Sequence, residues 1–413
     1  MDNIETQVYA PPPGPPPPFQ QYAPPPGPPP PSALWTPRPL HPASFPHLNE
    51  DQVHCLSTQG FATFPLAERP SLHDAAAKLL GLSRAFFAQE QSEKEHYRFL
   101  EGNKQGSEEG WSRVIGEKEL LTLRRSGPSV PPDLEAAGRE FWKESGLFMQ
   151  EMIIGVEESL GLPKWILDDV VYPECEMPEA GKERVETLLR MFRYERRDQE
   201  VDNAAAAASD ATKLQDGGNA KDSTVGKGRL VAEPHIDLGL LTIVIGSSPG
   251  LEVYSRNSST NQGEWISIEQ APYSTPSPSG LTATVLAGET LTYLTNRRFI
   301  PGRHRVFVPS IHPDDSPDDR DAPYRFSLVF ALRPHESALL SSSLLTTDIT
   351  GPFICPLEGV YGKELFDAIS KSKYNVNTNQ KDREAQKRRL QTKKPANDSE
   401  SLESSGAQSS GTG

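Results

Sequence analysis

Between Glu186 and Arg333 the chain breaks into short segments rich in Val, Ile, Leu, Thr and Tyr, separated by turns that contain Gly and Pro. Segments near 186–195, 229–235, 239–246, 251–255, 264–268, 282–286, 290–295, 304–309 and 324–333 each have the length of a strand. So many short strands with tight turns close into a sandwich or a barrel. Upstream the period changes. From Pro132 to Leu160, Leu134, Ala137, Phe141, Leu147, Met149, Met152, Ile153 and Val156 follow helical spacing. Pro131 and Pro132 suit the start of that helix, Gly161 and Pro163 its end. Leu72 to Leu100 reads as one broken helix, Gln59 to Phe64 as a short strand, 101–128 as irregular, and Tyr361 to Ser370 as a helix. The fold class is mainly β with packed N-terminal helices (α+β).

Composition marks where the folded part ends. There are 40 prolines in 413 residues, and Tyr9 to Pro18 recurs as Tyr22 to Pro31. Proline fixes φ and removes donors, so residues 1–45 make a polyproline II segment outside any core. Two readings stand: a ligand for SH3- or WW-type aromatic grooves, or a passive tail. Gln199 to Lys227 is a polar tract, read as an insertion without a role or as a lid beside the site. His312 to Ala322 reads as a solvated acidic loop. Lys381, Arg383, Lys387, Arg388, Arg389, Lys393 and Lys394 form a basic run, read as a solvated helix end, a nuclear signal or an RNA contact. Residues 395–413 are rich in Ser and Gly.

A net charge of −14, from 42 basic and 56 acidic residues, argues against a general nucleic-acid surface. Cys55, Cys175 and Cys355 have no paired spacing, which excludes a disulfide framework and a zinc site and suits a reducing compartment. No secretory signal and no spanning segment is visible. The expectation is a soluble cytoplasmic protein, or a nuclear one if the basic run is an address.

The chemistry concentrates in His235-Ile236-Asp237 and His304. Residues i and i+2 of a strand share a side, so His235 and Asp237 can grip one ion. A third ligand 304 − 237 = 67 residues later can arrive from another strand. Two imidazoles and one carboxylate occupy one face of an octahedral iron(II) and leave positions open. Arg325 and Ser327 are again i and i+2 on an apolar strand. A guanidinium there can fork onto a ligand carboxylate with the hydroxyl helping, or it can form an internal Arg–Glu pair.

These motifs, in this order, resemble the iron(II)/2-oxoglutarate-dependent dioxygenases of the isopenicillin-N-synthase-like class. Glu233 to Asp237 followed by Leu240 to Ile243 resembles that family's first ligand strand. Pro249 to Val253 with Trp265 resembles its next hairpin, and Ala287 to Leu291 with Leu294-Thr295-Asn296 its "GDxLxxxTN" segment. His304-Arg305-Val306 and Arg325-x-Ser327 match its "HRV" and "RxS" motifs. The resemblance implies a double-stranded β-helix (jelly roll), with iron(II) on His235, Asp237 and His304. It implies 2-oxoglutarate held by Arg325 and Ser327, and a small-molecule substrate oxidised with O2 while 2-oxoglutarate is converted to succinate. Leu189 to Tyr194 resembles the family's "LRxNYYP" strand, which places Tyr194 at the cosubstrate; Phe192 and Glu195 depart from that pattern, so a packing role stays open. Phe192, Arg193, Tyr254 and Phe330 are candidate pocket walls.

Composition marks a proline-rich tail (1–45), a C-terminal extension (336–375) and a basic, then Ser/Gly-rich tail (376–413), and the resemblance implies an N-terminal helical module (46–180) and a jelly-roll domain (181–335) between them. Two other functions remain: an iron(II) oxidase of the same fold that does not use 2-oxoglutarate, and a non-catalytic scaffold recruiting partners through the polyproline repeat.

Overall fold

The computed structural model describes residues 50–101, 104–196, 228–256, 263–269, 280–311, 321–353 and 355–392. The polyproline repeat, the tract at 199–227, the acidic loop over 312–320 and the tail beyond 392 lie outside those residues, so the readings placed on them carry no structural account.

Twelve strands build two facing antiparallel sheets among the described residues. They are β1 (Phe61–Pro65), β2 (Arg98–Glu101), β3 (Lys104–Val114), β4 (Lys118–Leu123), β5 (Leu188–Glu195), β6 (Gly228–His235), β7 (Leu241–Gly246), β8 (Leu251–Arg256), β9 (Gly263–Ser267), β10 (Thr282–Ala287), β11 (His304–Pro309) and β12 (Tyr324–Leu332). The larger sheet runs β1-β10-β7-β12-β5-β4-β3-β2, the smaller β6-β11-β8-β9. The core strands β10-β7-β12-β5 face β6-β11-β8-β9, which is the jelly-roll arrangement. A two-stranded ribbon, β13 (Leu339–Leu340) with β14 (Val360–Tyr361), stands apart. The helices are α1 (Glu50–Thr58), α2 (Pro70–Phe87), α3 (Gln91–Glu95), α4 (Pro132–Leu160), α5 (Asp168–Val171), α6 (Glu289–Leu294), α7 (Ser342–Leu345), α8 (Gly362–Lys371) and α9 (Gln380–Thr392).

Strand alternation explains how one sheet serves two purposes. Along β12, Phe326, Leu328, Phe330 and Leu332 turn outward into the apolar layer shared with α2 and α4. Arg325, Ser327, Val329 and Ala331 turn inward to a cavity. The same two-residue period divides β5: Leu189 and Met191 go to the helices, Leu188, Arg190, Phe192 and Tyr194 to the cavity. The helix α4 has the bounds expected from its period, ending at Gly161 with φ 64° in the left-handed region glycine favours. Trp142 meets Phe330 edge-on at 5.2 Å, and Phe148 meets Phe64 likewise at 5.2 Å. Leu147, counted on the apolar face, is half exposed.

Other expectations need correction. Residues 290–295 are not a strand: Gly288 starts the helix α6, whose Leu291 and Leu294 are buried and whose Thr290 Oγ1 donates to Leu238 O at 2.6 Å. The stretch 101–128 is not irregular but holds the β3–β4 hairpin, turning at Gly116 (φ 73°). Its apolar alternation is masked by buried charges. Glu119 accepts from Lys94 (2.8 Å), Arg193 (2.7 Å) and the Trp111 indole (3.2 Å). The broken helix after Leu72 ends at Phe87, is followed by α3, and gives way to β2 by Arg98. Among the described residues no helix is long and apolar enough to cross a membrane.

Candidate metal centre

His235 ends β6 and His304 begins β11; the two are paired across the small sheet. Their rings lie 4.2 Å apart between centroids. Asp237 follows β6 in the turn toward β7. Its Oδ1 stands 3.9 Å from His304 Nε2, and one potential ligand atom from each of the three residues lies within 4.8 Å of the others. Neighbouring ligands on an ion with bonds near 2.1 Å sit roughly 3 Å apart, so modest contraction closes the set on one metal.

The backbone fixes the ring tautomers. His235 Nδ1 donates to Glu233 O at 2.7 Å and His304 Nδ1 donates to Gly302 O at 3.0 Å. A carbonyl accepts only from N–H, so in the neutral ring each Nε2 keeps its lone pair. Burial, reinforced by the neighbouring His304, pushes the His235 imidazole well below the usual range and keeps it neutral. Asp237 is held below the usual carboxylate range: burial acts upward, but His304, His235, the Thr242 hydroxyl and Arg333 outweigh it. Its Oδ2 is buried and makes no hydrogen bond.

The triad opens on a cavity of about 690 Å³ that also contains Arg325, Ser327 and Tyr194. Arg325 is 1 % exposed. Its Nη2 donates to Glu269 Oε1 (2.7 Å) and Oε2 (2.9 Å), and its Nε donates to Ser248 O (2.9 Å). The internal Arg–Glu pair therefore exists, and Glu269 was missed in the sequence. The pair does not use up the group: Arg325 Nη1 and Ser327 Oγ are both buried without a partner. Two orphaned donors side by side in a cavity fit an incoming carboxylate. Tyr194 stacks on Phe192 at 5.2 Å, and its ring lies 5.5 Å from the Arg325 guanidinium. Burial, opposed by Arg325, pushes its hydroxyl up to about 12. Of the candidate walls, Phe192 lines the cavity, while three do not. Arg193 faces away to Glu119, Tyr254 packs on Trp265 at 5.2 Å, and Phe330 lies in the helix-side core.

The far wall is the C-terminal segment. Tyr374, Asn375, Val376, Asn377 and Gln386 line the cavity. They are latched from α9, whose Lys381, Arg388 and Arg389 stay exposed while one face docks: Arg383 is 5 % exposed and donates to both Glu117 oxygens at 3.0 and 2.6 Å. Lys387 pairs with Glu233, Tyr374 Oη donates to Glu233 Oε2 at 3.1 Å, and Lys118 Nζ donates to Val376 O at 3.1 Å. Only the basic tally of this helix was visible in sequence, and it concealed the two carboxylates waiting for it.

Comparison with known protein families finds no match. Comparison with curated proteins also finds none. Among solved structures, a full-length Neurospora crassa protein in complex with alpha-KG (2-oxoglutarate) and 5-formyluracil superposes with a TM-score of 0.53 at 18 % identity, covering 77 % of this chain and 88 % of that one. The same Neurospora protein with alpha-KG alone gives 0.51 at 20 % identity over 78 % and 88 %. With alpha-KG and thymine it gives 0.51 at 18 % identity over 78 % and 90 %. The chain thus has the double-stranded β-helix fold of the iron(II)/2-oxoglutarate oxygenases.

Proposed function

We propose that the chain is a non-haem iron(II) dioxygenase that oxidises a small organic molecule with O2 and 2-oxoglutarate. The observation that carries this reading is the pairing, inside one cavity, of a two-His, one-carboxylate cluster with the orphaned donors of Arg325 and Ser327. His235, Asp237 and His304 would hold the iron, which when bound supplies O2 activation coupled to decarboxylation of 2-oxoglutarate to succinate and CO2. The chain's own residues do the rest. Glu233 O and Gly302 O hold both imidazoles in the ligating tautomer. Arg325 and Ser327 take the cosubstrate carboxylate remote from the metal, with Phe192 and Tyr194 as wall. The C-terminal segment excludes water from the open end.

Anaerobic addition of iron(II) and then 2-oxoglutarate should produce a weak visible charge-transfer band. His304→Ala should abolish the band and the binding of iron; full iron binding by folded His304→Ala overturns the assignment. A second reading, an iron(II) oxidase without 2-oxoglutarate, draws support from Glu269, whose carboxylate already sits on Arg325. Succinate release in aerobic assays separates the two: its absence under all conditions favours the second.

A further inference from the structure

The triad and the Arg325 end account for only part of the cavity. Past the metal side, β12 ends at Leu332 and is followed by Arg333, which lines the same space. Its stem packs beside the turn that carries Asp237: Arg333 Cγ lies 3.3 Å from where a Cβ on Gly239 would stand. Its charge reaches Asp237, whose carboxyl it helps hold down.

Arg333 is only 12 % exposed and shares its counter-ions with other cations. Nη1 donates to Glu186 O at 3.2 Å. Nη1 also forms two loose ion pairs, with Glu108 at 3.7 Å and Glu186 at 3.8 Å, and both carboxylates are shared with other cations. Among the described residues no protein acceptor meets Nε or Nη2. Three nearby cations are already engaged: Arg190 donates to Glu108 at 3.0 Å and Thr122 at 2.9 Å, Arg124 pairs with Glu186 at 3.0 Å, and Lys373 pairs with Glu289 at 2.8 Å, while Arg303, which also lines the cavity, lies over the Tyr254 and Trp265 rings. The guanidinium lies against Phe366 at 4.8 Å, and Leu188, Val329 and Ala331 supply apolar wall beside it. Arg333, Arg190 and Arg124 thus share two carboxylates, Glu108 and Glu186, and an incoming anion would balance the third cation. In a chain of net charge −14, apart from Asp237 at the metal, the cavity lining holds one carboxylate, Glu108. The Nε–Nη2 edge of one guanidinium matches the planar fork of a carboxylate.

We propose that the substrate is a small organic acid with an apolar body, its carboxylate received by Arg333 so that the adjoining carbons face the metal side of the cavity. This rests on the oxygenase reading, but its test does not. Binding to the full chain is measured calorimetrically, without metal, for a homologous series of phenylalkanoic acids, their methyl esters and the matching phenylalkylamines. An acid in the series should bind at least about tenfold tighter than its ester. Arg333→Gln should erase that preference, and Arg325→Gln should keep it, which separates this carboxylate site from the cosubstrate's. Esters or amines binding as well as acids, no acid binding at millimolar concentration, or loss of the preference in Arg325→Gln alone overturns the proposal. If Arg333→Gln fails to fold, the acid–ester comparison on the unaltered chain and on Arg325→Gln decides. Acid preference without a charge-transfer band would leave this site standing and remove the oxygenase reading.

Discussion

Glu269 shows how much a single side chain can change the meaning of a motif. Arg325 and Ser327 were readable because both are inward on one apolar strand. Their partner was not, because Glu269 reaches them from 325 − 269 = 56 residues away, just after β9, with no local pattern to mark it. In the proposed reading its carboxylate and a cosubstrate carboxylate would share one guanidinium, which would link the two. Glu269→Gln should destabilise the ligand-free protein by roughly 3 kcal/mol, the order expected when a buried pair loses one partner. 2-Oxoglutarate should then raise the melting temperature of the variant by more than it raises that of the parent, because binding restores the missing anion. Equal ligand-induced shifts would show that Glu269 is indifferent to the site.

Strands and turns deliver the metal cluster through contacts that tolerate no extra atom. Gly60 (φ 83°) and Gly302 pack backbone to backbone, and a Cβ on either would collide with the other. Gly302 O is also the acceptor that sets the His304 ring. Gly302→Ala should therefore lower iron affinity by about 10- to 100-fold, as loss of an outer-shell partner does, with the helix-side core intact. Iron titration beside near-ultraviolet circular dichroism checks both halves of that expectation. The His-x-Asp pairing was legible from period alone, whereas the β3–β4 hairpin was not. In that hairpin Glu119 is a buried charge compensated by Lys94 and Arg193, distant in sequence, and such compensation has no local signature. Lys118 is 1 % exposed, and burial, with Arg383 and Arg190 adding to it against Glu117, pushes its ammonium down to about 7. The unfolded chain holds that proton up to the ordinary value near 10.5, so between the two it binds more protons than the folded chain. Stability should rise as pH goes from about 7 toward 10.5, and Lys118→Met should flatten the rise. Denaturant midpoints measured across that range test the sign.

Seen as one body, the molecule is a barrel with helices behind it and a stopper in front. The barrel and the helical layer were largely legible from strand alternation and the α4 period. The stopper was not, since its anchors, Glu117 and Glu233, belong to other elements and Arg383 looked like one cation in a basic run. Arg383→Ala should free the segment from Lys371 to Thr392. Amide hydrogen exchange should quicken there and remain slow in β5, β7 and β12; uniform acceleration across the barrel would contradict a separately hinged stopper. The order of the chain adds a temporal consequence. Every strand that carries a triad or Arg325–Ser327 side chain leaves the ribosome before α9 does, and domains begin folding as they emerge. A nascent barrel would thus pass through a stage with its chamber uncovered, in which ions and small acids can enter before Arg383 and Lys387 arrive to shut the door.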